Sequence, residues 1–224
     1  MTICLGIVYF VLAIPIHDIR HIIIACLGLF WSIRLSFYLL KRIRRSEQED
    51  TRYQSMRKGM GPYASAGFFV FYQVQSVFVT IFTTPIAIAL LSDSKKIDGT
   101  DVIGCLIFII AVMGEALADR QLMKFKEATQ NKKKTCSVGL WFYSRHPNYF
   151  FEWLHWFSYP LFSLQSDYLW ISCLAPIVML LFLLKLTGIP HVEREALKNK
   201  TDYKGYMETT SVFIPWFKKK RRCH

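Results

Sequence analysis

The sequence lacks the motifs by which soluble enzymes bind nucleotides and metals. Its 11 glycines form neither a glycine-rich dinucleotide loop nor a phosphate-cradling loop before a helix. Its six cysteines have no paired metal-ligand spacing, so we expect no metal site and no disulfide framework; they are Cys4, Cys26, Cys105, Cys136, Cys173 and Cys223. Any nucleotide must therefore be held by side chains of another kind of fold.

Acidic residues are also few, and the sequence contains long apolar runs. The 224 residues are 53% hydrophobic and 16% aromatic, with 28 basic against 16 acidic side chains. Several runs approach the ~20 apolar residues that a membrane-crossing helix needs. We predict a polytopic membrane protein with spans at residues 2–16, 22–40, 67–91, 102–118, 149–164 and 168–186. The runs at 2–16 and 149–164 are short.

The basic residues indicate the orientation of these spans. Seven lysines and arginines lie in residues 41–66, seven in 119–148 and nine from 188 onwards, all on one side of a six-span arrangement. The opposite side has only Arg20, Lys95 and Lys96. Basic loops stay on the cytoplasmic side. We therefore expect both termini in the cytoplasm of a bacterial inner membrane or endoplasmic reticulum protein, with membrane lipids rather than nucleic acid as partners.

No repeat, low-complexity tract or flexible linker divides the chain. The prediction is one all-α membrane domain over residues 1–224, with six or seven spans and a cytoplasmic amphipathic tail. No obligate protein partner is evident.

Two polar groups of residues lie at the cytoplasmic ends of predicted spans. Trp31, Arg34 and Tyr38 share one face of span two, where Arg34 either snorkels to the membrane surface or lines a pocket. Glu115 and Asp119 lie one turn apart at the end of span four. A carboxylate at that depth needs a partner, such as the neighbouring Arg120, another helix or a ligand hydroxyl.

A third group follows a basic loop and precedes span five. It is the segment from Gly139 to Tyr149, which contains Arg145, His146 and Asn148. Pro147 is typical of a first helical turn, so Asn148 and Glu152 should share a helix face. An arginine at this position suits a bidentate grip on phosphate, and an asparagine suits an amide or hydroxyl. An interfacial helix start is the alternative.

The fourth group is in the tail. Glu193, Arg194, Tyr203 and Tyr206 belong to an amphipathic segment that we expect to close over a cofactor from the water side. Residues 218–222 are basic and suit anionic lipid heads.

At these residues the chain resembles the steroid 5-alpha-reductase-like superfamily of membrane oxidoreductases, in particular its uncharacterised branch of steroid or lipid reductases. The matching pieces are Phe71 to Gln73, Glu115 to Gln121, Gly139 to Tyr149 with Glu152, Gly188 to Pro190, and Phe213 to Pro215.

This resemblance implies a helical bundle whose cytoplasmic half holds NADPH, and a lipid-like α,β-unsaturated carbonyl substrate. Asn148 and Glu152 would contact the nicotinamide end, Asp119 the polar groups and Arg145 the phosphates. His146, Tyr149, Glu115, Arg120 and the tail residues would complete the cofactor site. Tyr38, Tyr72 and Arg34 are candidate donors to the substrate carbonyl as enolate charge develops. Glu115 stands where the steroid reductases commonly have asparagine.

Two other functions stay open. The chain also resembles the related isoprenylcysteine carboxyl methyltransferases, at Arg145, His146, Pro147, Tyr149, Glu193, Glu195, Tyr203 and Tyr206. That resemblance implies S-adenosylmethionine as the cofactor and a lipid-borne acceptor. An inactive lipid-binding scaffold is the third hypothesis, although charges inside a bilayer without a role would be destabilising.

Overall fold

The structure is a computed structural model that describes residues 18–45, 51–94, 96–128, 133–186 and 188–218. All regular secondary structure in these ranges is helical, apart from one isolated bridge between Ser144 and Ser211. The predicted span at 2–16 lies outside them. The chain divides into two compact units: Met1–Ile97 with Phe162–Ser172, and Asp98–Leu161 with Cys173–His224.

The described residues of the first unit contain two long helices and a short one between them in the sequence. They are α1 (Ile19–Arg45), α2 (Thr51–Met60) and α3 (Ala64–Leu90), with a 3₁₀ turn at Gly61–Tyr63 between α2 and α3. Helix α3 packs against α1. Apolar side chains from both helices form the buried core, including Ile24, Ala25, Trp31, Phe82, Ile86 and Ala89.

The start of α1 is held by side chains that bond to backbone carbonyls. Arg20 donates from Nη2 to the Phe162 carbonyl at 2.5 Å and from Nη1 to the Ser94 carbonyl at 3.3 Å. The His21 ring lies 2.6 Å from Asp18 through Nδ1 and 3.1 Å from the Ser92 carbonyl through Nε2. These bonds give two buried polar side chains the partners that burial demands.

The second unit is organised around α4 (Gly99–Glu127). A capping box starts this helix: Asp98 accepts from the backbone of Thr100 and Asp101, and the Asp101 side chain accepts from the Asp98 backbone. Short helices follow at α5 (Leu140–Tyr143) and α6 (Pro147–His155), and α6 packs along α4. Later come α9 (Ile189–Asn199) and α10 (Tyr203–Thr209).

Two further helices lie between α6 and α9. They are α7 (Ser158–Phe162) and α8 (Leu169–Leu181), and a π-helical segment at Phe182–Leu186 continues α8.

Among the described residues, four helical stretches are long and apolar enough to cross a membrane. They are Ile19–Tyr38, Met56–Leu90, Gly99–Glu127 and Leu169–Asn199. They contain the predicted span at 102–118 and nearly all of those at 22–40, 67–91 and 168–186, but six spans are not confirmed. Helix α4 has a stripe of exposed apolar side chains, which suits contact with lipid better than contact with water. The stripe consists of Val102, Ile103, Leu106, Ile109, Ile110 and Met113.

The predicted span at 149–164 is not one continuous helix. It forms α6 and α7, separated by a turn at residues 156 and 157. Pro160 explains the break, because it has no N–H to donate to the carbonyl four residues earlier and its ring would clash with that carbonyl. Neither piece reaches the length of a membrane-crossing helix.

Candidate functional site

The segment from Gly139 to Tyr149 is attached directly to the end of α4. The Leu140 N–H donates to Gln121 Oε1 at 2.9 Å, and the Trp141 indole donates to the Ala118 carbonyl at 2.9 Å. Gly139 has a φ of 59°, and a Cβ there would overlap the Gln121 amide. Only glycine allows both this backbone and this close approach.

Helix α6 begins at Pro147, as its position in the sequence predicts, and it places Asn148 against α4. Asn148 Nδ2 donates to Asp119 Oδ1 at 3.2 Å. Because a carboxylate only accepts, this bond fixes which end of the amide faces Asp119. The other end, Oδ1, is buried and has no hydrogen-bond partner among the described residues.

The acidic group at the end of α4 is placed as its spacing suggests. Glu115 and Asp119 are both buried, whereas the adjacent Arg120 is exposed. The helix therefore turns its two carboxylates inward and its guanidinium outward.

A buried charged cluster joins this segment to α9 and α10. Arg145 Nη1 and His146 Nε2 each lie 3.2 Å from Glu193 Oε1, and the Tyr203 hydroxyl donates to the same oxygen at 3.4 Å. Arg145 is 6% exposed and His146 is 3% exposed. One carboxylate oxygen thus forms hydrogen bonds with His146 and Tyr203 and an ion pair with Arg145, and we call these four residues the charged cluster.

Burial sets the protonation states around Glu193. It lowers the pKa of His146 below its ordinary value, and Glu193 offsets part of that shift. It raises the pKa of Tyr203 and Tyr206, so both hydroxyls keep their protons. A neutral His146 that carries its proton on Nε2 donates to Glu193. The cluster then holds one positive and one negative charge, which balance.

The residues after α10 are bonded to the same segment through the backbone. Arg145 N donates to the Ser211 carbonyl at 2.8 Å, and the Ser144 hydroxyl donates to the Phe213 carbonyl at 2.7 Å. The Trp216 N–H donates to the Tyr143 carbonyl at 3.0 Å. Residues 211–216, which we call the strap, are therefore fixed along the segment rather than lying loosely over it.

Tyr206 adds a further contact, between α10 and the segment. Its hydroxyl donates to the carbonyls of Trp141 and Ser144, the latter at 3.1 Å. Sequence reasoning selected Tyr206 as a cofactor contact but missed Ser144, Ser211 and Gln121. A serine that bonds a distant carbonyl has no periodicity or spacing that marks it.

The remaining predicted residues of this unit occupy different surroundings. The Tyr149 ring stacks on His146 with centroids 5.4 Å apart, and Glu152 lies 3.9 Å from the buried His155. Arg194 is exposed and bonds the Pro190 carbonyl of its own helix. Glu195 is exposed too at its side chain and pairs with Lys198, outside the charged cluster.

The three candidate catalytic residues belong to the first unit. Arg34 and Tyr38 lie on α1 and are partly buried, whereas Tyr72 on α3 is 53% exposed. The structure therefore gathers Arg145, His146, Glu193 and Tyr203, and joins Asn148 to Asp119, within one unit. The three carbonyl donors remain a prediction.

Comparison with known proteins gives a family and one relative. A family model described as "Protein of unknown function (DUF1295)" matches residues 1–210. An uncharacterized protein of Schizosaccharomyces pombe is 30% identical over 166 residues, which are 64% of this chain and 48% of the relative. The chain thus spans about half the length of that relative. No solved structure matches.

Proposed function

This chain belongs to the DUF1295 family, and we propose that it is a membrane-embedded, NADPH-dependent reductase of a lipid-like α,β-unsaturated carbonyl, such as a steroid or another isoprenoid enone. The family is a steroid 5-alpha-reductase-like group, which supports a common fold and cofactor. The observation that carries the proposal is the oriented Asn148 amide at the junction of α4 and α6.

The Asn148 side chain contains a hydrogen-bond acceptor that receives no hydrogen bond from the described residues. Asp119 holds its Nδ2, while its buried Oδ1 lacks a partner among the described residues. A buried acceptor in that state costs about 1–3 kcal/mol. The carboxamide of a nicotinamide ring presents an N–H₂ group, which would satisfy it.

Arg145 offers a second point of contact in the same unit. Its Nη1 lies beside Glu193, but its buried Nε has no hydrogen-bond partner among the described residues. A guanidinium can serve two anionic groups from different edges of its planar fork. A cofactor phosphate would therefore share Arg145 with Glu193, and the donor set of this unit fits a nucleotide of that charge.

When bound, NADPH would supply the hydride that the β-carbon of an enone accepts. The chain itself would position the reacting groups and exclude water from them. Glu193 holds Arg145 and His146 in fixed orientations, and Tyr203 stays protonated as a donor beside it. The strap covers the segment from the side of α10. Exclusion of water strengthens every charge interaction in such a site.

Reduction also requires a donor to the substrate carbonyl. Tyr38, Tyr72 and Arg34 keep that role as proposals, with the substrate entering from the lipid. In this proposal the chain is multi-pass with both termini in the cytoplasm, so that NADPH reaches the site from the cytoplasm.

One observation favours a second candidate, methyl transfer from S-adenosylmethionine to a lipid-borne group. Arg145, His146, Glu193 and Tyr203 are among the residues that resemble the isoprenylcysteine carboxyl methyltransferases, and these four form one cluster. Glu195, which that resemblance also uses, lies outside the cluster. The bond between Asn148 and Asp119 belongs to the reductase resemblance, and for that reason we rank reduction first.

Thermal stabilisation of the detergent-purified protein by NADPH, NADH and S-adenosylmethionine tests this ranking. A ligand that binds the folded state raises its stability, by about 2.7 kcal/mol at 100 times its Kd. We expect NADPH to raise the apparent Tm of the wild type and of Asn199→Ala, an exposed control on α9. Asn148→Ala should lose most of that rise.

Each alternative has its own result. A rise with S-adenosylmethionine alone would replace reduction with methyl transfer. Absence of a rise with all three ligands, in a protein that still melts cooperatively, would favour the inactive scaffold.

A further inference from the structure

Four exposed aromatic side chains form a continuous row on the surface of the second unit. They are Phe142 and Tyr143 of α5, and Trp216 and Phe217 at the end of the strap. The ring centroids are 5.1 Å apart between Phe142 and Tyr143, and 6.0 Å apart between Tyr143 and Phe217. Those of Phe217 and Trp216 are 6.5 Å apart. We call these four residues the aromatic row.

Backbone bonds hold the aromatic row on the surface. The Trp216 N–H donates to the Tyr143 carbonyl at 3.0 Å, which joins the two halves of the row. The Ser144 hydroxyl donates to the Phe213 carbonyl, and the Phe213 ring occupies the interior, 5.5 Å from that of Trp153. Trp216 is nevertheless 67% exposed. A fixed apolar surface of this kind marks a contact with a membrane or with another molecule.

Positive charge lies at one end of the aromatic row. Lys218 Nζ is 4.3 Å from the centre of the Phe142 ring. The sequence continues with four further basic residues, so residues 218–222 form a basic run, and residues 209–224 contain no aspartate or glutamate. Aromatic side chains beside lysines and arginines are typical of surfaces that meet anionic lipids, because the rings enter the interface while the cations stay among the phosphates.

The aromatic row is attached near the end of a candidate membrane-crossing helix of the same unit. The indole of Trp141, the residue before Phe142, donates to the Ala118 carbonyl of α4. From Val102 to Leu117 every exposed side chain of α4 is apolar, and the exposed Arg120 follows. This change marks the level at which the helix leaves the hydrocarbon. The attachment at Ala118 therefore lies near the membrane–water boundary, where tryptophan and tyrosine are enriched.

We propose that the aromatic row and Lys218 dock on an anionic membrane surface, with the rings at the level of the headgroups and the ammonium group among the phosphates. Because the strap is bonded to Ser144 and to the Arg145 N–H, this docking also holds the segment that contributes Arg145 and His146 to the charged cluster. The inference does not depend on NADPH or on any reaction.

The charge of the basic run favours lipid over a second copy of this chain. Two copies that met symmetrically through the aromatic row would bring two identical basic runs together. Like charges at such a contact repel each other. An anionic bilayer neutralises them instead, and each lysine or arginine near its surface strengthens binding about fivefold.

Tryptophan quenching in nanodiscs tests the proposal. The chain is placed in phosphatidylcholine, with or without phosphatidylglycerol, and the acyl chains carry bromine, which quenches a tryptophan that they contact. The difference in quenching between the wild type and Trp216→Phe reports Trp216 among the six tryptophans. We expect a clear difference that is about twofold larger with phosphatidylglycerol. High salt should remove that increase, because it screens exposed charges.

Two variants of equal net charge test the role of the basic run. One removes three charges from the basic run, and the control removes three from exposed lysines elsewhere in the same unit. The first is Lys218→Gln with Lys219→Gln and Lys220→Gln, and the control is Lys133→Gln with Lys134→Gln and Lys204→Gln. Each is compared with the same variant that also carries Trp216→Phe. The first variant should lose the increase caused by phosphatidylglycerol, and the control should keep it.

Three results would overturn the proposal. The first is equal quenching of the wild type and Trp216→Phe in both lipid mixtures, which would place the aromatic row outside the membrane. The second is an equal loss of the phosphatidylglycerol effect in both lysine variants, which would indicate general net charge. The third is shielding of Trp216 from acrylamide in detergent that grows with protein concentration, which would indicate a second copy. Melting curves of each variant check that the fold is kept.

Discussion

Arg57 on α2 and Arg145 in the charged cluster are arginines in opposite surroundings. Arg57 is exposed and lies over the face of Phe68, whereas Arg145 is 6% exposed and lies beside Glu193. The first guanidinium contacts an aromatic ring at the surface, and the second lies beside a carboxylate in the interior. The same side chain thus belongs to the surface of one unit and to the folded framework of the other.

This difference separates binding from stability. Removing an exposed charge changes what a surface attracts and leaves the fold nearly unchanged. Removing one partner of a buried pair leaves the other charge without compensation. Matched substitutions in the two units should therefore have very different effects on melting.

The largest difference should come from the arginines. Arg145→Gln leaves Glu193 without its ion-pair partner, at a cost of about 3 kcal/mol, and should lower the apparent Tm by about 10 °C for a chain of this size. Arg57→Gln should change stability by less than ~0.5 kcal/mol. Thermal melts in one detergent compare the two variants. Equal shifts would contradict the distinction between the two sites.

Glycine gives the second comparison. Gly139→Ala forces a side chain onto a backbone with φ 59° and against Gln121, which should cost about 1–3 kcal/mol in backbone strain alone. Gly59 on α2 has open space around it, so Gly59→Ala should stabilise by about 0.5–1 kcal/mol. Limited proteolysis near residues 133–145 should rise in the Gly139 variant only. Unchanged cleavage there would argue against the tight approach to Gln121.

The tyrosine hydroxyls give a third and smaller contrast. Tyr206→Phe removes the donor shared by the Trp141 and Ser144 carbonyls, at a cost of about 1 kcal/mol. Tyr72→Phe removes a hydroxyl from a side chain that is 53% exposed, and should therefore leave the apparent Tm within error. A larger fall for Tyr72→Phe than for Tyr206→Phe would reverse the comparison.

Acid should produce the smallest effect, through His146. Its folded-state pKa lies below 6.5, so the unfolded chain binds the proton more readily than the folded one. Its contribution to stability is therefore present above pH 6.5 and is lost as the pH falls from there towards the lowered pKa. His146→Gln should reduce the fall in apparent Tm between pH 7.5 and 5.5. An unchanged slope would show that another group dominates.

The sequence predicted the elements that depend on local pattern. The spans at 22–40, 67–91, 102–118 and 168–186 appear as apolar helices because uninterrupted hydropathy and helix formation coincide there. Pro147 correctly marks the start of α6. Composition alone predicts one span at 149–164. Pro160 in the same run predicts a break, because it cannot donate to the carbonyl four residues earlier.

The residues of the candidate site could be predicted from the sequence, but the contacts between them could not. Arg145 and Glu193 were both chosen for their chemistry, yet no spacing rule joins residues on separate helices. Nothing in the sequence marked Ser144 as a donor to Phe213. Such contacts depend on how helices pack, which a single sequence does not specify.

The charged cluster also has a consequence for synthesis. His146 and Glu193 are 47 residues apart. At about 5–20 residues per second, the carboxylate is made roughly 2–9 s after the Arg145 and His146 segment. During that interval the guanidinium lacks its counter-charge, so the nascent segment must remain in contact with water. The second unit can therefore close only after α9 has been translated, whatever the order in which its apolar helices enter the membrane.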